Sequence, residues 1–289
     1  MRSGLPFDLI RPFSESRTRR EILQVRAVSA WGGFRRQSSF GSVRTFCLFV
    51  GYPRSGHTLV GSLVDAHPNA VIAHELDVIA FLAAGFGRLQ LYDLILRNNR
   101  AFTEMGHRWA GYDYAVDGQW QGRHDEMLVL GDKKGGRSTL RRQETPALLD
   151  RLRATVGVPV RLIHVVRNPY DNIASSHARK GGRGKVTPRI ERYFQLCDGV
   201  SEIKRRTDPQ DILDVRLEQL TAAPVATLRV VMDFLGLEPT EEYLTATAAK
   251  VFTSPKRSRH SIDWSERDRT RIARGIETYE HLAGYTFDS

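Results

Sequence analysis

Between Gly51 and Thr58 the chain reads Gly-Tyr-Pro-Arg-Ser-Gly-His-Thr. An apolar run from Thr45 to Val50 precedes this stretch. A helical pattern follows it, with Leu59, Val60, Leu63 and Val64 on one face and Pro68 as the stop. A strand that feeds a helix through a tight Gly/Pro/Ser turn aims several backbone N–H groups at one point. That is an anion site, and usually a phosphate site. Gly51, Gly56 and Thr58 match the spacing G-x-x-x-x-G-K-[ST], but His57 stands where the Lys should be and the basic residue has moved to Arg54. The phosphate cradle is kept and the ATP-type Lys is lost. Arg54 and the loop residues Ser55, Gly56, His57 and Thr58 are therefore the first candidate anion ligands.

Three further positions carry reactive or charged groups at strand ends, where ligands bind in parallel sheets. Glu75 follows the short strand pattern Val71 to His74 and precedes an apolar stretch, Leu76 to Ala84. A carboxylate there can take a proton from a hydroxyl within hydrogen-bond reach. It can equally complement a helix macrodipole, and His74 is a second candidate base or a strand histidine. Lys133 closes a strand pattern beginning at Met127 and stands in Gly131-Asp-Lys-Lys-Gly-Gly136, either reaching a phosphate or turning into solvent. Arg167 ends the continuous run Val160 to Val166. Asn168 as N-cap, Pro169 at N1 and Asp171 at N3 then start a helix that carries Ser175 two turns in. A guanidinium addresses phosphate through paired N–H donors.

These motifs resemble those of the sulfotransferases that use 3′-phosphoadenosine 5′-phosphosulfate (PAPS). Pro53-Arg-Ser-Gly-His-Thr58 is similar to their 5′-phosphosulfate loop, and Val166-Arg-Asn-Pro-Tyr-Asp171 with Ser175 is similar to their 3′-phosphate motif. Leu63-Val-Asp-Ala-His-Pro-Asn69 followed by His74-Glu75 looks like the tyrosylprotein sulfotransferases and their bacterial relatives, in which a Glu at this distance from the loop Arg is the general base. The resemblance implies PAPS as donor without a metal, and Arg54, Ser55, Gly56, His57 and Thr58 on the 5′ end. It implies Arg167 and Ser175 on the 3′-phosphate, with Glu75 as base and Arg54 and Lys133 stabilising the leaving phosphate. Lys134 and Gly135 replace the Thr-Pro that often follows the Lys in this family, which leaves open which lysine faces the site. A late basic loop, Ser254 to Ser261, matches loosely the family's closing loop, with Arg257 and Arg259 as candidates. The acceptor stays open between protein tyrosine, glycan, lipid and small alcohol.

Strands alternating with helices predict an α/β fold: a P-loop-like, mostly parallel sheet flanked by helices. The expected helices include Thr58 to Ala66, Arg88 to Arg100, Thr187 to Arg206, Ala223 to Leu235 and one from Ser265 to Leu282; Ile212 to Leu217 is a strand. The aromatic stretch 103–124, with Trp109, Tyr112, Tyr114 and Trp120, reads as acceptor-pocket lining or as pinned surface loops. Residues 1–44 carry nine Arg against three acids and read as a basic, mobile N-terminal extension to a domain spanning 45–289. The same composition also fits an organelle address. With 289 residues and 41% apolar content the chain is an ordinary globular one. A net charge of +10 suits a polyanionic ligand but would also suit nucleic acid or an acidic membrane. No RNA-binding or zinc-finger signature accompanies it, so no nucleic-acid partner is expected. Cys47 and Cys197 read as reduced core thiols. No window of about 18 apolar residues occurs, so no transmembrane anchor is expected and the expected location is cytoplasmic. The rival readings are a P-loop nucleotide kinase or ATPase and a non-catalytic basic binding module. The first lacks its Lys at position 57 and an obvious Mg²⁺ partner for Thr58.

Overall fold

The computed structural model describes residues 18–254 and 256–289. Five parallel strands form its central sheet: β1 (Thr45–Val50), β2 (Ala70–His74), β5 (Val129–Lys133), β6 (Val160–Val166) and β7 (Ile212–Arg216), in the order β2-β5-β1-β6-β7. A small antiparallel ladder, β3 (Arg108–Trp109) with β4 (Tyr112–Asp113), lies in the aromatic stretch. The strands read as near-continuous apolar runs because both faces of the sheet are covered. Phe46, Leu48 and Val50 of β1 point into one core, with the helices Val78–Ala83, Arg88–Glu104 and Ala147–Val156. Cys47 and Phe49 point into the other, with His57–Asp65 and Pro224–Leu235. A third cluster joins the helices Pro169–Arg179, Thr187–Arg205 and Glu266–Thr278. Cys47 and Cys197 are free and buried. No helix among the described residues is long and apolar enough to cross a membrane.

The strand order places the site. The connection leaving β1 runs towards β2, and the one leaving β6 runs to the opposite edge at β7. β1 and β6 are neighbours, so the crossovers part between them, and the gap at their carboxyl ends is where open α/β sheets bind ligands. Arg54 follows β1 and Arg167 follows β6, one on each side of that gap. On the other side of β1, β2 and β5 pair in register, with His74 opposite Lys133. That register sets Glu75 beside the two lysines, and the Glu75 N–H donates to the Lys133 carbonyl at 3.4 Å.

The free edge of β2 is closed by side chains. Asn98 receives the His74 N–H at 2.5 Å and donates to the His74 carbonyl at 3.1 Å. Asn99 donates to the Ile72 carbonyl, and Asp65 accepts the Ile72 N–H. These bonds satisfy backbone groups that a buried edge would otherwise leave unpaired.

Two stretches differ from the sequence expectation. Within the basic extension, Arg19–Arg35 is a helix packed on Arg88–Glu104. Gly32 and Gly33 make the approach close: a Cβ on Gly32 would lie 2.3 Å from Asp93 Oδ1, and one on Gly33 would lie 2.5 Å from the Leu89 carbonyl oxygen. Residues 1–17, the rest of that expected extension, lie outside the described residues. After β5 the chain enters a helix, Gly136–Glu144, a stretch in which the sequence pattern marks no element beyond its Gly-rich start.

Candidate active site

The loop after β1 is built from conformations that few residues tolerate. Gly51 has φ 114°, Arg54 φ 70° and Gly56 φ 101°. A Cβ on Gly51 would lie 2.8 Å from the His164 ring, and one on Gly56 would lie 2.8 Å from Leu217. Both glycines are thus required by the left-handed backbone and by close packing at once. Arg54 adopts the same region with a side chain, a strained choice that marks functional loops. The loop is tied down from several sides. The Ser55 hydroxyl donates to the Tyr52 carbonyl, and the Gly51 N–H donates to Thr139 Oγ1 at 3.0 Å. Tyr52 Oη meets His164 Nε2 at 2.9 Å, and His164 Nδ1 meets Asp214 at 2.9 Å.

The helix His57–Asp65 begins at this loop, and no side chain caps it. Its first-turn amides therefore face the site without an intrahelical partner. The cation that a P-loop places at position 57 arrives here from the neighbouring strand. Lys133, the last residue of β5, extends across the helix and donates to Thr58 Oγ1 at 3.0 Å. Gly61 makes room for it: a Cβ there would lie 2.7 Å from Lys133 Cγ.

Glu75 is the hub of this end. Its Oε1 accepts from Lys133 Nζ at 2.8 Å, and its Oε2 accepts from Lys134 Nζ. His57 Nε2 stands 3.7 Å from Oε1, and the Ser55 hydroxyl meets His57 Nδ1 at 3.1 Å. Both lysines therefore face Glu75, which answers the question the Lys133-Lys134 pair posed. Burial pushes the Glu75 carboxyl up, but Lys133, the His57 contact and Lys134 outweigh it and hold the group well below its ordinary range. Burial pulls Lys133 down against the opposing pull of Glu75. Burial likewise pulls His57 down, and the lysines add to that against Glu75.

Glu75 has φ 58° and Asp77 φ 65°, so the turn out of β2 is strained twice within three residues. Asp132 holds it. This fully buried carboxylate accepts from the N–H groups of Leu76 at 3.1 Å and Val78 at 2.8 Å. Burial pushes Asp132 up to about 7, against the pull of the Val78 N–H. Asp77 is in turn held by Ser138 and Arg141 from the Gly136–Glu144 helix.

At the other end, Arg54 Nε donates to Ser175 Oγ at 3.0 Å, and Arg167 Nη1 donates to the Arg54 carbonyl at 3.3 Å. Arg167 Nη2 donates to the Lys256 carbonyl and lies 3.4 Å from Ser258 Oγ. Its Nε has no hydrogen-bond partner among the described residues. Burial lowers the Arg167 guanidinium, opposed by the charges of Asp171 and Glu218, and the charge of Arg54 lowers it further. Arg54, Arg167 and Ser175 thus form one group, with the late loop closed onto Arg167 through Lys256 and Ser258.

Not every expected residue reaches this group. Arg259 is buried in an ion pair with Asp171, with Arg259 Nη2 at 2.7 Å from Oδ2 and the Arg259 N–H at 2.8 Å from Oδ1, and it also donates to the Phe287 carbonyl. Its role is to pin the late loop to the Pro169–Arg179 helix. Arg257 is exposed. His74 is turned away from a base role. Its ring stacks on Phe102 at 3.8 Å and meets Trp109 edge-on at 4.7 Å, and burial drives it down to about 2. Sequence reasoning missed Gly61, Asp132, Thr139 and Tyr52. Only Asp132 left a signal, as the acid preceding Lys133 at a strand end.

The chain resembles solved sulfotransferase structures. One is the sulfotransferase domain of the Synechococcus PCC 7002 olefin synthase, at TM-score 0.52 and 17% identity, covering 82% of this chain and 94% of that one. Another is the sulfotransferase domain from the curacin biosynthetic pathway, at TM-score 0.51 and 16% identity, covering 82% and 98%. A third is sulfotransferase STF1 from Mycobacterium tuberculosis H37Rv, at TM-score 0.50 and 13% identity, covering 87% and 83%. At these identities the likeness is one of fold. No curated protein matches the sequence significantly. The model of the sulfotransferase family matches residues 48–242, a span that contains the β1 loop, Glu75, both lysines, Arg167 and Ser175. More than half of the chain is matched, and the chain belongs to the sulfotransferase family.

Proposed function

We propose that the protein transfers a sulfuryl group from PAPS to a hydroxyl or amine acceptor by in-line displacement. The first-turn amides of the His57–Asp65 helix, with Ser55, Gly56, His57 and Thr58, receive the 5′-phosphosulfate. Arg167 and Ser175 receive the 3′-phosphate end, and exposed Arg257 adds positive charge at the rim. Arg54, expected on the 5′ end and on the leaving phosphate, is assigned instead to the 3′ end because its Nε donates to Ser175. Glu75 takes the acceptor proton. As it does so, the acceptor oxygen or nitrogen forms a bond to sulfur, and the bond from sulfur to the 5′-phosphate oxygen breaks with its electron pair going to that oxygen. Lys133, beside Thr58, neutralises the charge growing there; fixed donors of this kind are worth about 10²–10³ in rate.

One observation carries the reading. The Arg167 guanidinium, just past β6, donates to the backbone carbonyl of Arg54 in the loop after β1, at the switch point of the sheet, and Arg54 Nε donates to Ser175 on the following helix. This is the arrangement expected of a holder for one end of a doubly phosphorylated nucleotide whose other end lies on the Thr58 helix. The test is transfer of labelled sulfate from PAPS to a panel of phenolic, glycan, lipid and alcohol acceptors. Glu75→Gln is expected to keep adenosine 3′,5′-bisphosphate binding and to lose about 10²–10⁴ in transfer. Unchanged turnover in that variant would reject Glu75 as base. Stabilisation by Mg·ATP, and not by the bisphosphate without Mg²⁺, would instead favour a kinase.

A further inference from the structure

Glu75 presents a conflict. A general base needs a lone pair free to accept a proton and a basicity close to the working pH. Both Glu75 oxygens are already engaged by ammonium groups, Oε1 by Lys133 and Oε2 by Lys134. His57 stands against Oε1 as well, His74 precedes Glu75 on β2 and buried Asp132 lies beneath the turn. Of these facing groups only the two lysines are cations in contact. The Glu75 side chain is 17% exposed and Lys133 only 2%, so water does little to loosen the pairs.

The lysines have somewhere else to go. Lys133 Nζ already spans Glu75 and Thr58, and Thr58 stands in the first turn of the helix proposed to receive the phosphosulfate. An anion arriving there competes for the same ammonium. The strand geometry permits exchange at both: Lys133 is the last residue of β5, and Lys134 stands between the strand end and Gly135, outside the hydrogen-bonded ladder.

We propose that Lys133 and Lys134 lock Glu75 in the donor-free enzyme, and that the sulfuryl group of the donor unlocks it by drawing the lysines onto its own oxygens. Lys134 is then a positioning residue that acts on the reaction through Glu75. The acceptor cannot be deprotonated before the donor is in place. The same two ammonium groups that silence the base become the charge that stabilises the departing phosphate. This inference rests on Glu75 being the base and on PAPS being the donor.

Release of the carboxylate has a readout that does not depend on turnover. A Glu75 freed from two cations and placed near an anion binds a proton that the locked Glu75 does not. Calorimetry of PAPS binding, without acceptor, at about pH 5.5 in two buffers of different ionisation enthalpy counts that proton. The wild-type protein is expected to take up about half a proton or more beyond what Glu75→Gln takes up. Contributions of the ligand phosphates are common to both and cancel in the difference; that of His57, which contacts Glu75, is removed by repeating the comparison in a His57→Asn background. Lys134→Met, in which half of the lock is missing beforehand, is expected to show a smaller excess. No excess in the wild type, or an undiminished excess in Lys134→Met, would overturn the proposal. Loss of the underlying reading is visible separately, as failure to bind PAPS or as full transfer by Glu75→Gln.

Discussion

The two ends of the site are built from the same materials, cations at strand ends, and are compensated in opposite ways. Around Arg54 and Arg167 the contacts are neutral: the Ser175 and Ser258 hydroxyls and the carbonyls of Arg54 and Lys256. Asp171, the carboxylate that could have paired with Arg167, is occupied by Arg259. Around the Glu75 carboxylate the contacts are ion pairs and a histidine. The first end, proposed to receive the 3′-phosphate, carries two guanidinium groups whose hydrogen bonds among the described residues include none to a carboxylate, so an incoming anion would meet uncompensated charge. At the second end one carboxylate is shared by two ammonium groups, so a ligand would gain there by drawing those groups off. If the proposed function holds, binding energy comes from the Arg167 end and chemistry from the Glu75 end.

The sharpest way to break this contrast is a pair of variants with opposite signatures. Lys133→Met is expected to lower kcat for sulfuryl transfer by about 10²–10³, the cost of one fixed transition-state donor, while bisphosphate affinity changes little. Arg167→Ala is expected to weaken bisphosphate binding by about 10–100-fold, the worth of one or two charged hydrogen bonds, while kcat at saturation holds. Transfer assays and calorimetry on both proteins read the split. If both variants lose affinity and rate alike, the two ends act as one and the division is wrong.

What could be read from the sequence was local. The strand–loop–helix at Thr45–Asp65 and the Arg167–Ser175 motif announce themselves because turn glycines, an N-cap and a strand run are adjacent in the chain. What stayed hidden depends on distant partners. Arg259 reads as a candidate phosphate ligand on a loose loop match until the fold brings Asp171, 88 residues away, against it. The Gly136–Glu144 helix was masked by the Gly135-Gly136 pair and by a polar face, yet it supplies Thr139 to the loop amide and Ser138 to Asp77. Strand alternation alone would send Lys133 and Lys134 to opposite sides. They converge because β5 ends at Lys133 and the chain turns at Gly135.

A smaller perturbation sharpens the Glu75 end without touching a charge. Gly61 sits inside a helix, where Ala is favoured by about 1 kcal/mol. Here a Cβ would press on Lys133 Cγ at 2.7 Å. Gly61→Ala is expected to leave the melting temperature near that of the wild type, leave bisphosphate affinity intact and lower kcat by about 10-fold through a displaced ammonium. A variant that is as active as the wild type would mean that Lys133 reaches its place without the space Gly61 provides.

The smallest expected effect concerns the support beneath Glu75, and its sign is fixed by burial. Burial pushes Asp132 up to about 7 in the folded protein, from the ordinary carboxylate value when unfolded. Between those two values the folded state holds more protons, so stability falls as pH rises and the loss is complete above the folded value. Asp132→Asn removes this dependence while keeping one oxygen to accept from Leu76 or Val78. Melting temperatures from about pH 5 to 8 should therefore decline more steeply for the wild type than for Asp132→Asn. Asp65, pushed up to about 7 by burial, contributes equally to both and drops out of the comparison. Transfer by Asp132→Asn should fall by no more than about 10-fold, because the turn loses one of two anchors and Glu75 keeps its charge partners. Parallel pH slopes would mean that Asp132 stays ionised throughout, and the strained turn would then rest on a full negative charge inside the core.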